Sequence, residues 1–151
     1  MTNQTNKLQI KSYTYKQLLN ALSNKKPEQG GIIGCSKENV IDNFYFDKSP
    51  VNSSISSYTP NAKVLNEIIN VKWAKKNIRF IGMIHSHLIN KELSEEDIEF
   101  ARDVLNSSTE LNFIIMGICQ LDYSYVQKGI AWYQVFQDEI ISTDIIIVQE
   151  A

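Results

Sequence analysis

An α/β fold of the α+β kind, a mixed β-sheet flanked by helices, is the class this sequence predicts, and three observations predict it. Apolar stripes at helical spacing recur in three stretches, centred near Leu18, Leu65 and Ala101. Between and after them lie short apolar or alternating runs of strand length: Gly30 to Cys35, Ile78 to His85, Leu111 to Cys119 and Lys128 to Phe136. A helix standing between two strands implies a crossover connection, so parallel pairing joins the hairpins in one sheet. At 151 residues, 1–151 reads as a single domain, long enough for one continuous core without staples.

The first helix starts at Ser12, with Thr14 as its cap and Tyr15, Leu18, Leu19 and Leu22 as the buried stripe. Lys25-Lys26 suit its C-terminal end, and Pro27 stops it. Gly30 to Cys35 and Val40 to Phe46 then read as a hairpin, because Ser36-Lys37-Glu38-Asn39 between them has turn chemistry. Asp47 to Tyr58 is rich in Ser and Asn and has no period, so it is expected as the longest loop. Thr59 caps a second helix with Pro60 at its first position, and Val64, Leu65, Ile68, Ile69 and Trp73 share a face. Ser94 opens a third helix running to about Asn106. Tyr123 to Val126, Lys128 to Phe136 and Ile140 to Gln149 follow as further strands. The aromatic strand around Trp132 packs internally or between subunits equally well, which leaves the oligomeric state open.

Composition excludes several classes. A net charge of -2 with only two arginines, Arg79 and Arg102, gives no basic field for nucleic acid. The polar start M-T-N-Q-T-N-K has no apolar segment after it, and the longest wholly aliphatic run, Ile145 to Val148, is far below the ~18 residues that span a bilayer. No secretory signal and no membrane contact are therefore expected, and the expected location is cytoplasmic. Cys35 and Cys119 lie in separate apolar runs and read as buried free thiols of a reducing compartment, with no metal-motif spacing.

The chemistry concentrates between Phe80 and Ala101, which hold both histidines of the chain. Residues two apart on a strand project to one side, so His85 and His87 offer two imidazole nitrogens to one point. Ser94 and Asp97 then form a Ser-x-x-Asp at a helix start, with Ser94 at the cap and Asp97 at the third helical position. Such a tetrapeptide is also an ordinary capping box. Joined to His-x-His in the order strand, loop, helix, it makes a three-ligand set that suits zinc (Zn2+), one ion per chain with water as fourth ligand. That is the arrangement of a catalytic rather than a structural site, and it still requires a general base. Glu28, a carboxylate entering a strand beside Gly30 and Gly31, is placed to face such a metal. No P-loop is present, because the lysine and spacing are missing.

Taken together, Glu28, His85-Ser86-His87 and Ser94-x-x-Asp97 resemble the signature of the JAMM (MPN-plus) metalloproteases. The resemblance implies zinc on His85, His87 and Asp97, Glu28 as general base and Ser94 as the donor to the tetrahedral intermediate. It implies a curved sheet between helices, similar to the cytidine deaminases, whose own His-x-Glu and Pro-Cys-x-x-Cys signature is absent here. It also implies a peptidase or isopeptidase acting on a protein or peptide, with ubiquitin-like or sulfur-carrier C-termini as the family's substrates. The chain departs from the pattern twice: Leu88 stands where Pro is common, and six residues rather than seven separate His87 from Ser94. With little room for the insertions of deubiquitinating relatives, it looks like a small prokaryotic member. The alternative from another class is a non-catalytic MPN scaffold that binds a protein partner.

Overall fold

A computed structural model describes residues 7–54, 56–108 and 110–149; the polar stretch 1–6 lies outside them. Its centre is a six-stranded mixed sheet. In chain order the strands and helices are β1 (Gln9–Lys11), α1 (Ser12–Leu22), β2 (Gly30–Cys35), β3 (Val40–Ile41), β4 (Asn43–Phe46), β5 (Asn52–Ser54), β6 (Ser57–Thr59), α2 (Ala62–Glu67) continued by a π-helical stretch Ile68–Trp73, β7 (Arg79–Leu88), α3 (Glu95–Ser107), β8 (Ile114–Leu121), β9 (Gln127–Val135), β10 (Ile140–Thr143) and β11 (Ile146–Val148). The large sheet has the order β10-β9-β8-β7-β2-β4. Within this sheet, among the described residues, only β7 and β8 pair in parallel, through the crossover that carries α3, and its other pairs are antiparallel.

Both faces of this sheet are covered, which explains why β2, β7 and β8 read as nearly unbroken apolar runs. On one face Leu18 and Leu22 of α1 pack with Ile33, Ile84, Ile115 and Leu121. On the other, Leu65, Ile68 and Trp73 from the second helical segment and Ala101 and Leu105 from α3 pack with Ile32, Met83 and Met116. A bulge at Ile81 breaks the alternation, as pairing steps from Ile33–Gly82 to Gly34–Phe80. Beyond it Met83, His85 and His87 share the face that α3 covers.

Several expectations shift. Thr14 does not cap α1; it lies one turn inside, fully buried, and the flanking Lys11 makes no side-chain cap. The helix ends four residues before Lys26, because Ser23 N–H closes on Leu19 O at 2.8 Å and Asn24 turns left-handed at φ 62°. Thr59 belongs to β6, and Asn61 caps α2 instead, its side chain accepting from Val64 N at 3.3 Å. The expected loop from Asp47 to Tyr58 contains the β5–β6 hairpin. Tyr123 to Val126 is a turn rather than a strand, since the Asp122 carboxylate takes the N–H groups of Ser124 at 2.8 Å and Val126 at 3.0 Å. A separate three-stranded parallel sheet, β11-β1-β3, also forms: β3 and β11, inside runs expected as strands, pair with β1 instead of extending the large sheet. Cys35 and Cys119 are buried and unpaired, and burial pushes both thiols up to about 12. No described helix is long and apolar enough to cross a membrane.

Candidate metal centre

Three separate segments deliver the candidate residues to one point. His85 and His87 sit near the C-terminal end of β7, both buried, with ring centroids 4.6 Å apart. Glu28 precedes β2 and is strapped from two sides. Its N–H donates to Ser54 O at 2.5 Å and its carbonyl accepts from Ser53 Oγ at 2.9 Å, so β5 holds one side. On the other, Ser86 N–H donates to Gln29 O at 2.9 Å and Gln29 N–H to Ser86 Oγ at 3.2 Å. The residue between the two histidines thus fixes the backbone beside Glu28. Gly30 makes the approach of β2 to β7 possible, because a Cβ there would lie 2.7 Å from the Cβ of His85 and 2.5 Å from Ile84 O.

Asp97 comes from the first turn of α3. Ser94 N–H donates to Asp97 Oδ2 at 2.9 Å and Asp97 N–H to Ser94 Oγ at 3.1 Å, a complete capping box. The other carboxylate oxygen, Oδ1, is 2.9 Å from His85 Nε2, and Oδ2 is 3.6 Å from His87 Nε2. The six-residue loop therefore keeps Asp97 on the histidines. Ile89, at φ 79°, turns the chain sharply after β7, and Tyr133 donates its hydroxyl to Lys91 O at 2.6 Å, pinning the loop to β9. Glu28 Oε1 lies 3.7 Å from His85 Nδ1 and 3.8 Å from His87 Nε2. One ligand atom each from Glu28, His85 and His87 lie within 4.8 Å of one another.

The two carboxylates are driven in opposite directions. Burial raises Glu28 to about 7, reinforced by Asp97 and Glu96 and opposed by His85. Burial also acts upward on Asp97, but its hydrogen bond and charge interaction with His85 and the bonds from Ser94 outweigh it and bring the group to about 2. His87 is lowered by burial and by His85, which favours its neutral form. A neutral imidazole and an ionised carboxylate are the protonation states that metal ligands need. The donor set fits a divalent ion such as zinc: two imidazoles and carboxylates converge, no lysine or arginine lines the cleft among the described residues, and buried His85 Nδ1 has no hydrogen-bond partner.

The cleft around this cluster has a volume of about 730 Å3. Its walls include Tyr58 of β6, whose ring lies 5.7 Å from His85 and whose hydroxyl donates to buried Asp47 at 2.8 Å. The sequence gives no signal for Tyr58, Asp47 or the hairpin clasp on Glu28. Two short polar strands without alternation look like a loop, and only pairing reveals them.

Fold and cluster together define an α+β protein with a candidate metal centre at the end of its central strand. No protein-family model matches the chain, and no curated protein matches it in sequence. Solved structures match in fold. Protein DSY2949 from Desulfitobacterium hafniense superposes with a TM-score of 0.71 at 15% identity, over 95% of this chain and 94% of that one. AF2198, a Jab1/MPN domain protein from Archaeoglobus fulgidus, gives a TM-score of 0.51 at 18% identity, over 92% and 99%. A structure reported as "JAMM: A Metalloprotease-like Zinc Site in the Proteasome and Signalosome" gives 0.51 at 18%, over 93% and 98%. Identities this low show the fold, which is of the JAMM/MPN type.

Proposed function

We propose that the chain is a metal-dependent hydrolase of peptide or isopeptide bonds, with His85, His87 and Asp97 as zinc ligands and Glu28 and Ser94 as catalytic groups. The observation that carries this reading is the convergence of Glu28, His85, His87 and Asp97, delivered by three separate segments of the chain, at separations of 2.9–3.8 Å. A bound zinc ion would supply Lewis acidity toward a water and toward the scissile carbonyl. Glu28, raised to about 7, is basic enough to take a proton from the attacking water and acidic enough to return it to the leaving amine. The Ser94 hydroxyl accepts from Asp97 N and keeps its own proton to donate to the oxyanion. A carboxyl-terminal tail of a ubiquitin-like protein is the substrate class that the resemblance favours.

The rival reading, a scaffold that binds a partner without chemistry, makes no demand on these four side chains. Elemental analysis of wild type beside His87→Ala and Asp97→Ala separates the two. About one zinc per chain in wild type and loss in both variants is the expected outcome, followed by hydrolysis of ubiquitin-like fusions and isopeptide-linked conjugates. Absence of metal after zinc is supplied would overturn the hydrolase reading.

A further inference from the structure

His87 presents a lone pair to the cleft from Nε2 only if its proton sits on Nδ1, and the loop after β7 decides where that proton goes. His87 Nδ1 is 3.2 Å from Asn90 Oδ1. Glu92 N–H donates to that same Asn90 Oδ1 at 3.1 Å. A backbone N–H can only donate, so the Asn90 atom that meets it is the amide oxygen and not the amide nitrogen. An amide oxygen carries no proton, so the bond to His87 requires Nδ1–H. In the neutral ring the lone pair is then on Nε2, facing Asp97 Oδ2 at 3.6 Å and Glu28 Oε1 at 3.8 Å.

The loop geometry makes this contact. Three residues further along an extended strand, Asn90 would stand roughly 10 Å from His87. Ile89, at φ 79°, bends the chain, Asn90 N–H closes on Leu88 O at 3.0 Å, and the side chain returns to the ring. His85 is held the opposite way: its Nε2 meets the Asp97 carboxylate at 2.9 Å, an acceptor, while its Nδ1 has no hydrogen-bond partner among the described residues.

We infer that Asn90 is a positioning residue that fixes His87 as the Nδ1–H tautomer and so keeps its Nε2 lone pair directed at the metal centre. The consequence for metal rests on the proposed function, whereas the tautomer belongs to the chain alone. The chain has two histidines, so the 15N imidazole spectrum of the metal-free protein at pH 8 contains two rings, and His85→Gln assigns them. The expected result is a His87 ring protonated on Nδ1 in wild type. Asn90→Asp should retain it, because a carboxylate oxygen accepts from both donors, and Asn90→Leu should lose it. Zinc affinity measured by chelator competition should fall about 10- to 100-fold in Asn90→Leu and stay near wild type in Asn90→Asp. A wild-type His87 protonated on Nε2 overturns the inference without any variant, and so does Asn90→Leu with tautomer and affinity unchanged. Wild type that shows Nδ1–H but binds no zinc overturns the proposed function instead, so the two failures are distinguishable.

Discussion

Glu28 and Asp97 lie against the same imidazole, yet Glu28 is raised to about 7 and Asp97 is lowered to about 2. Asp97 therefore contributes stability that is present above its unfolded value and is lost as pH falls toward 2. Glu28 acts with the opposite sign: its raised folded value means that stability is fully present below about pH 4.5 and is lost as pH rises through 7. Thermal unfolding of metal-free wild type should show this loss between pH 4.5 and 7, and Glu28→Gln should remove it and be more stable than wild type at pH 8. An unchanged pH profile in Glu28→Gln would show that the carboxylate is solvated in solution. Ser94 carries two roles that one substitution can separate. As a cap, Ser94→Ala should cost about 1 kcal/mol of stability. As an oxyanion donor, its loss should slow turnover on the order of 100-fold with zinc retained. A stability loss with turnover untouched would leave Ser94 as a cap alone.

At the scale of elements, the strands that meet at the site depend on close approach of backbones. A Cβ at Gly82 would overlap the carbonyl of Ile115, its partner in the parallel β7–β8 pair. Gly82→Ala should therefore destabilise by more than the roughly 1 kcal/mol typical of point mutants, and denaturant unfolding compared with Ala101→Gly on α3 would check it. The long elements were legible because their burial is one-sided or complete. The Leu65–Trp73 stripe, the apolar run of β7 and the Ser94 capping box all carry their pattern in consecutive residues. Three of the four converging side chains were legible for the same reason, as His-x-His and Ser-x-x-Asp are local motifs, and Glu28, outside any local motif, took its role as base only from the resemblance. What escaped is non-local. β3 and β11 fall inside runs that read as strands, but their pairing through the three-residue β1 into a sheet of their own has no local pattern. Tyr123 to Val126 alternates like a strand, but Asp122 captures its donors. Asn90 and Tyr58 have no motif at all, and their roles come from a left-handed turn and a hairpin.

For the molecule as a whole, the centre ties together parts of the chain that meet only when it is folded. Glu28 enters from the loop before β2, the histidines lie on the central strand, and Asp97 lies on the helix of the β7–β8 crossover. An unfolded chain offers no such set, so an ion bound there adds its binding free energy to folding. At a free zinc concentration 100 times the dissociation constant the gain is about 2.7 kcal/mol. For a domain of this length each kcal/mol moves the midpoint by roughly 2–4 °C, so zinc should raise Tm by roughly 5–10 °C. Differential scanning calorimetry with and without zinc, and then with excess chelator, reads the shift and its reversal. His87→Ala should unfold at one temperature in both conditions, because the second imidazole is gone. Calcium at the same concentration should shift wild type little, since imidazole nitrogens are poor ligands for it. Equal shifts in wild type and His87→Ala would mean that zinc acts elsewhere on the surface. No shift in wild type would mean that the four side chains hold no ion, and the candidate centre would then be a polar cluster that the fold supports at the cost Glu28 reports.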